Sequence, residues 1–163
     1  MQKRLDVVGA GICGLAHAWH AARAGWQVRV FERDPAARSA SVRNFGMIWP
    51  IGQGPDRRAT ALRSRELWRE LVQAARLWSE PRGSLHVARA EDELAVLEDF
   101  QAHHAAGLDV ELLTPELCVA RGPFFRREGL LAGLFSASEM CVNPREVISS
   151  LPRFLAERHG VEF

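Results

Sequence analysis

The sequence has no tyrosine, a single lysine and only three cysteines, and each shortage removes a class of protein from consideration. Cys13, Cys118 and Cys141 are odd in number and far apart, which excludes a disulfide framework and a CxxC metal site. Such usage predicts a reducing, cytoplasmic location. No run approaches the roughly 20 apolar residues needed to span a bilayer. The apolar stretch from Leu5 is broken by Asp6 and then by glycines, so no secretory leader is expected either. Charge of one sign is also missing. With 21 basic and 20 acidic residues the formal balance is +1, which gives no electrostatic reason to expect nucleic acid or an anionic membrane as partner. Every basic residue except Lys3 is arginine, a bias that reflects GC-rich coding rather than a binding patch.

What remains is the composition of a folded protein, 47% hydrophobic and 25% charged. Its 163 residues suffice for one domain with its own core and are too few for two large ones. Residues 5–8 are an apolar run ending in Gly9, as in a buried parallel strand that enters a tight turn. Ile12, Leu15, Ala16, Trp19 and Ala22 then recur at helical spacing up to Gly25, and residues 27–31, Gln-Val-Arg-Val-Phe, read as a second strand.

Beyond Glu32 the pattern dissolves, and residues 34–54 read as a long loop or a series of turns. The spacing then predicts a helix over 58–79, a strand over 84–90, a helix over 91–106 and a strand over 109–113. Thr114-Pro115-Glu116 opens a short helix, with Thr as N-cap and Pro in the first turn. A strand follows over 129–136, then a helix over 145–159 capped by Gly160, and Val161-Glu162-Phe163 reads as the start of another strand.

Gly9-Ala10-Gly11-Ile12-Cys13-Gly14 matches GxGxxG, a weak signal alone that gains weight from its place between a predicted strand and a predicted helix. Glu32 ends the second strand near the spacing a dinucleotide site requires. Gly9 would permit the tight turn, Gly11 the approach of a pyrophosphate, and Gly14 the close packing of helix on strand. The phosphates would sit at the positive end of the helix. Glu32 would accept hydrogen bonds from ribose hydroxyls, and its charge disfavours a 2′-phosphate and hence NADP. FAD is preferred to NAD because a second helix and strand should follow at once in an NAD domain. Here the irregular segment Ser39 to Pro50 follows instead, with small residues and Gly46 suited to a flat ring system.

The segment Val7-Val8-Gly9-Ala10-Gly11-Ile12-Cys13-Gly14-Leu15, the pair Glu32-Arg33 and the loop 39–50 resemble FAD-dependent oxidoreductases of the D-amino acid oxidase superfamily, which includes glycine oxidase and sarcosine oxidase. Cys141-Val142-Asn143-Pro144 is similar to that family's approach to the helix before a further FAD-contacting strand. Within the group, residues 41–53 resemble a branch associated with aminophosphonate breakdown. The resemblance implies an α/β fold: a Rossmann-like FAD-binding βαβ unit with part of an α+β substrate domain. It divides the chain into 1–80, the N-terminal part of the FAD domain; 81–142, a partial substrate-domain insertion; and 143–163, a helix and strand returning to the FAD domain.

The implied cofactor is FAD, contacted by Gly9, Gly11, Ile12, Cys13, Gly14, Glu32 and Arg33, with Ser41, Arg43, Asn44 and Gly46 near the pyrophosphate or the isoalloxazine. The implied substrate is a small-molecule amine or amino acid, oxidised through hydride transfer to an imine with oxygen as acceptor. Members of the family are much longer, so the fold is expected to be truncated, with a complementary chain as partner if the enzyme is split. No catalytic residue is assigned. The competing readings are an NAD-dependent dehydrogenase and a non-catalytic chain that binds a nucleotide or a partner.

Other residue groups read as ordinary structure. His103-His104 lack metal-ligand spacing, and adjacent residues on a helix point in different directions. His17 and His20 are explained by a polar partner or solvent, and Cys13 by close packing inside the glycine motif. Arg57, Arg58, Arg63, Arg65 and Arg69 share their helix with Glu66 and Glu70, which predicts paired surface charges. Trp49, Trp68 and Trp78 read as core or interface residues.

Overall fold

The computed structural model describes residues 3–35, 39–122 and 124–163. Its elements run β1 (Arg4–Val8), α1 (Ile12–Arg23), β2 (Gln27–Phe31), α2 (Ala40–Arg43), β3 (Met47–Ile48), α3 (Pro55–Ala75), β4 (Ser79–Glu80), β5 (Ser84–Ala88), α4 (Glu91–Asp99), β6 (Val110–Leu113), α5 (Pro115–Ala120), β7 (Ala132–Ser136), β8 (Met140–Val142) and α6 (Pro144–His159). The chain divides into two compact units. The first comprises Met1–Met47, Trp68–Ser79 and Cys141–Phe163, and the second Ile48–Leu67 and Glu80–Met140. Residues 48–67 thus cluster with the second unit, whereas the division drawn from the sequence kept all of 1–80 together.

In the first unit β1 and β2 pair in parallel, with Arg4 opposite Gln27 and Val8 opposite Phe31. On its other side β2 meets the chain's last residues through a parallel bridge between Arg29 and Glu162. Val30 N donates to Glu162 O at 2.8 Å and Glu162 N to Val28 O at 3.0 Å. The final residues therefore do enter the sheet, as Val161-Glu162-Phe163 suggested. Val28 and Val30 are buried between these neighbours.

Helix α1 buries Leu15, Ala18 and Trp19, and α6 buries Val147, Ile148, Leu151 and Leu155 on one stripe. These two helices pack on each other. Each fully enclosed leucine contributes about 1.5–3 kcal/mol. Asn143 caps α6 by accepting from Arg145 N at 3.0 Å and Glu146 N at 3.3 Å. Gly160, with φ of 65°, closes the helix as expected, while Pro152 is accommodated in its interior.

The second unit holds an antiparallel sheet in the order β5-β7-β6, with Leu85 opposite Phe135 and Leu112 opposite Leu134. Its core gathers Leu113, Cys118 and Leu130 against Leu85, Val87, Val119 and Phe135. Thr114 caps α5 as predicted, its side chain accepting from Leu117 N at 3.4 Å. The strands β3, β8 and β4 form a further short sheet in that order.

Three expectations need correction. Residues 34–54 are not all loop, since they include α2, β3 and a 3₁₀ turn at Pro50–Gly52; residues 36–38 lie outside those described. The helix expected over 58–79 runs instead from Pro55 to Ala75. Arg76 takes a left-handed φ of 54°, and Leu77 N donates back to Val72 O at 2.9 Å, a helix stop built without glycine. The helix expected over 91–106 leaves α geometry after Asp99, in a π-helical turn at Phe100–His104. That turn brings His103 Nδ1 to 3.0 Å and His104 Nε2 to 3.5 Å from the two carboxylate oxygens of Asp99. The adjacent histidines therefore converge on one carboxylate, against the α-helical argument.

Candidate cofactor site

The glycine segment begins where β1 ends. Gly9 has a φ of +98°, a left-handed conformation that side chains resist, and its N–H donates to Phe31 O at 2.7 Å, which ties the turn to the end of β2. A Cβ on Gly14 would fall on Gly9 O and within 3.2 Å of a Val7 methyl, so helix and strand approach as the third glycine of the motif predicts. Gly11 is the N-cap of α1 and supplies no side-chain cap, and the first turn of the helix has no acidic residue. Its positive end is thus not neutralised by its own side chains.

Two residues from outside the motif complete this corner. Ser41, on α2, accepts from Ile12 N through Oγ at 3.1 Å, which leaves its hydroxyl proton available to donate. A Cβ on Gly11 would come within 3.2 Å of the same oxygen. Glu32, just past β2, accepts from Ala10 N at 2.8 Å and Asp34 N at 3.2 Å. These backbone hydrogen bonds, that from Ala10 first, hold its carboxyl below the usual range and keep it charged. The carboxylate fixes the turn and retains lone pairs for further donors.

The remaining predicted positions differ in what they do. Asn44 Oδ1 accepts from Gly46 N at 2.8 Å, and Gly46 has a φ of +74°. A Cβ there would fall on Val142 O, and Gly46 O accepts from Val142 N at 2.9 Å, so the close approach of another backbone already requires this glycine. Arg33 is exposed and lies 3.7 Å from Asp34, and Arg43 is exposed. Cys13 is exposed, which corrects the expectation of a packed thiol; its carbonyl meets His17 Nδ1 at 2.7 Å.

A polar cluster in the second unit was not foreseen. Glu139 is only 4% exposed; Ile51 N donates to its Oε1 at 3.1 Å and Ser84 Oγ to its Oε2 at 3.2 Å. Ser84 Oγ also lies 3.1 Å from His86 Nε2, and with its own proton directed to Glu139 it accepts from that nitrogen, which fixes the tautomer. His86 stacks on Trp49 with centroids 5.9 Å apart, and burial, opposed by Glu139, lowers its pKa. The only sequence cue was Ser84-x-His86, two polar residues on one face of a strand. Trp49 and Trp78 are partly exposed rather than core.

Among the described residues no group of three or more His, Cys, Asp or Glu is arranged to hold a metal, and no helix is long and apolar enough to cross a membrane.

Over 68 residues the chain is 42% identical to D-amino-acid oxidase of Streptomyces coelicolor, an alignment covering 40% of this chain and 21% of that protein. Its fold superposes on L-proline dehydrogenase from P. horikoshii with a TM-score of 0.86 at 20% identity, covering 99% of this chain and 43% of that one. Glycine oxidase from Bacillus cereus superposes with a TM-score of 0.82 at 20% identity, covering 99% and 45%. The chain thus spans less than half the length of the proteins it matches. Residues 5–163, which carry the glycine turn, the Glu32 carboxylate and the returning strand, match the description DAO, FAD dependent oxidoreductase, and the chain belongs to that family.

Proposed function

We propose that the first unit binds the adenosine diphosphate half of FAD, in an enzyme that oxidises a primary or secondary amine or an amino acid with oxygen as acceptor. The observation that carries this reading is the helix α1 N-terminus without a side-chain cap, flanked by the Ser41 hydroxyl and the Glu32 carboxylate. A pyrophosphate suits the first turn of α1, with Gly11 leaving room for its approach and Ser41 donating its free proton. Ribose hydroxyls suit the oxygens of Glu32, which the Ala10 N–H orients. Ile12, Cys13, Gly9 and Gly14 shape this turn, Arg33 adjoins Glu32, and Arg43, Asn44 and Gly46 are assigned with Ser41 to the pyrophosphate or the isoalloxazine.

When bound, FAD supplies the hydride acceptor that turns an amine into an imine. The names of the relatives, D-amino-acid oxidase, glycine oxidase and L-proline dehydrogenase, support an amino-acid substrate. The second unit is assigned to the substrate side of the same enzyme.

Titrating FAD with the purified chain tests the cofactor reading directly. Flavin fluorescence should be quenched saturably and restored by excess ADP. Glu32→Gln should weaken binding by roughly tenfold, as expected for loss of hydrogen bonds to a charged acceptor. A chain that binds neither FAD nor ADP under these conditions contradicts the assignment.

A further inference from the structure

The hydrogen-bond chain that runs from Glu139 through Ser84 to His86 ends at an atom with a free lone pair. Ser84 fixes the proton on His86 Nε2, so Nδ1 is the unprotonated nitrogen of the ring. Among the described residues none donates to Nδ1. Nor is it enclosed, because the one buried side-chain nitrogen or oxygen without a partner among those residues is Arg58 Nε. An accessible hydrogen-bond acceptor is therefore offered from β5.

The surroundings hold that nitrogen in place. Trp49 stacks on the imidazole, and its indole sits on Gly52, where an added Cβ would fall on the ring. Ile51, in the same 3₁₀ turn, donates through its N–H to Glu139 at 3.1 Å, so turn and strand are joined twice. The local charge is negative. Burial, opposed by Glu139, lowers the His86 pKa and leaves the ring neutral at neutral pH. Arg65 of α3 reaches Ser138 O at 3.2 Å, but its own charge is met by Glu66 at 2.6 Å. A neutral acceptor beside a buried carboxylate and a partly exposed indole suits a cationic N–H donor, since both the carboxylate and the aromatic face attract positive charge.

We propose that His86 Nδ1 receives the ammonium group of a small amine or amino acid, with the Trp49 indole alongside. The site lies wholly in the second unit. It rests on the amine reading above and names the side chain that recognises the amine.

The test is a long-range ¹H–¹⁵N NMR titration of the histidine rings of the intact chain, without flavin. The His86 signals are those lost in His86→Gln. They are also the ones displaced in Trp49→Phe, which keeps the assignment secure should the first variant not fold. Methylammonium chloride is the probe, glycine the amino-acid arm, and sodium chloride and sodium acetate at equal ionic strength are the controls.

The free chain should show Nδ1 unprotonated. Methylammonium and glycine should then shift it saturably, while both sodium salts leave it in place. In Glu139→Gln the new amide donates to Ser84 and turns the Ser84 proton toward His86, so the ring should change tautomer and the response to methylammonium should be lost. Any of five results would overturn the proposal: a protonated Nδ1 in the free chain, no response to methylammonium, an equal response to sodium chloride, a response to acetate in place of methylammonium, or an unchanged response in Glu139→Gln. Failure to bind FAD is read in a separate titration, so it counts against the cofactor reading and leaves this result interpretable.

Discussion

In the first unit the polar chemistry is carried by backbone: a glycine turn, a helix end whose N-cap residue is a glycine, and two side chains that hold N–H groups in place. In the second it is carried by buried side chains, with Glu139, Ser84 and His86 in one chain of hydrogen bonds and Arg58 enclosed apart from it. A backbone site is defined by conformations that few residues allow, so it is written in a short run of sequence. A side-chain site depends on which distant residues the fold brings together.

The two kinds of site should fail differently. The largest effect is expected for Gly14→Ala, whose new methyl group would fall on Gly9 O and cannot be relieved by moving a side chain. A cost of about 2–3 kcal/mol is anticipated from such overpacking, together with loss of nucleotide binding, both readable from urea unfolding and FAD titration.

Glu139→Ala should follow closely. It strands Ile51 N–H and Ser84 inside the second unit and should cost about 2 kcal/mol, as for removal of a buried hydrogen-bonded charge. It should leave FAD affinity intact. A Glu139→Ala chain that unfolds no more easily than the parent would show that the cluster is not structural.

Acidification sharpens the contrast. Burial depresses the pKa of His86, so the folded state binds fewer protons than the unfolded one. Its contribution is complete above the ordinary histidine range and declines as the pH falls through about 6.5. His159, depressed by burial and by Arg23, acts in the same direction. Glu32 is depressed by hydrogen bonds, so its contribution persists through that window and is lost only below the ordinary carboxylate range, near pH 4. Unfolding midpoints measured across pH should therefore lose part of the neutral slope in His86→Gln and part of the acid slope in Glu32→Gln. An exchanged pattern would contradict the assignment.

The smallest effect belongs to the surface. Arg23 and Glu70 pair at 3.0 Å with both side chains over two-fifths exposed, and Glu70→Gln should change stability by about 0.5 kcal/mol or less.

Legibility followed the same division. The turn from Gly9 to Gly14, the acidic end of β2 and the capped helices α5 and α6 could all be read, because each rests on contacts within a few residues or on a fixed spacing. Ser41 was singled out through resemblance, but its bond to Ile12 N could not be, since nothing local announces it. Glu139 meets Ile51 and Ser84 across most of the second unit, and Ser84-x-His86 on one face of its strand was the only hint. The π-helical turn was hidden because 91–106 is periodic enough for one helix, and the widened turn shows only in how both histidines reach Asp99. Arg58 looked like its arginine neighbours until burial set it apart.

The parallel bridge from Arg29 to Glu162 carries a kinetic consequence. β2 pairs with β1 after a short crossover, but its second neighbour arrives from the far end of the chain. Closing so wide a loop is entropically slow. Because β4 and β8 are hydrogen-bonded neighbours, the long excursion between them leaves and returns at adjacent strands. Once they pair, the loop still to be closed shortens to residues 32–78 and α6, and the last residues dock after a smaller loss of chain entropy.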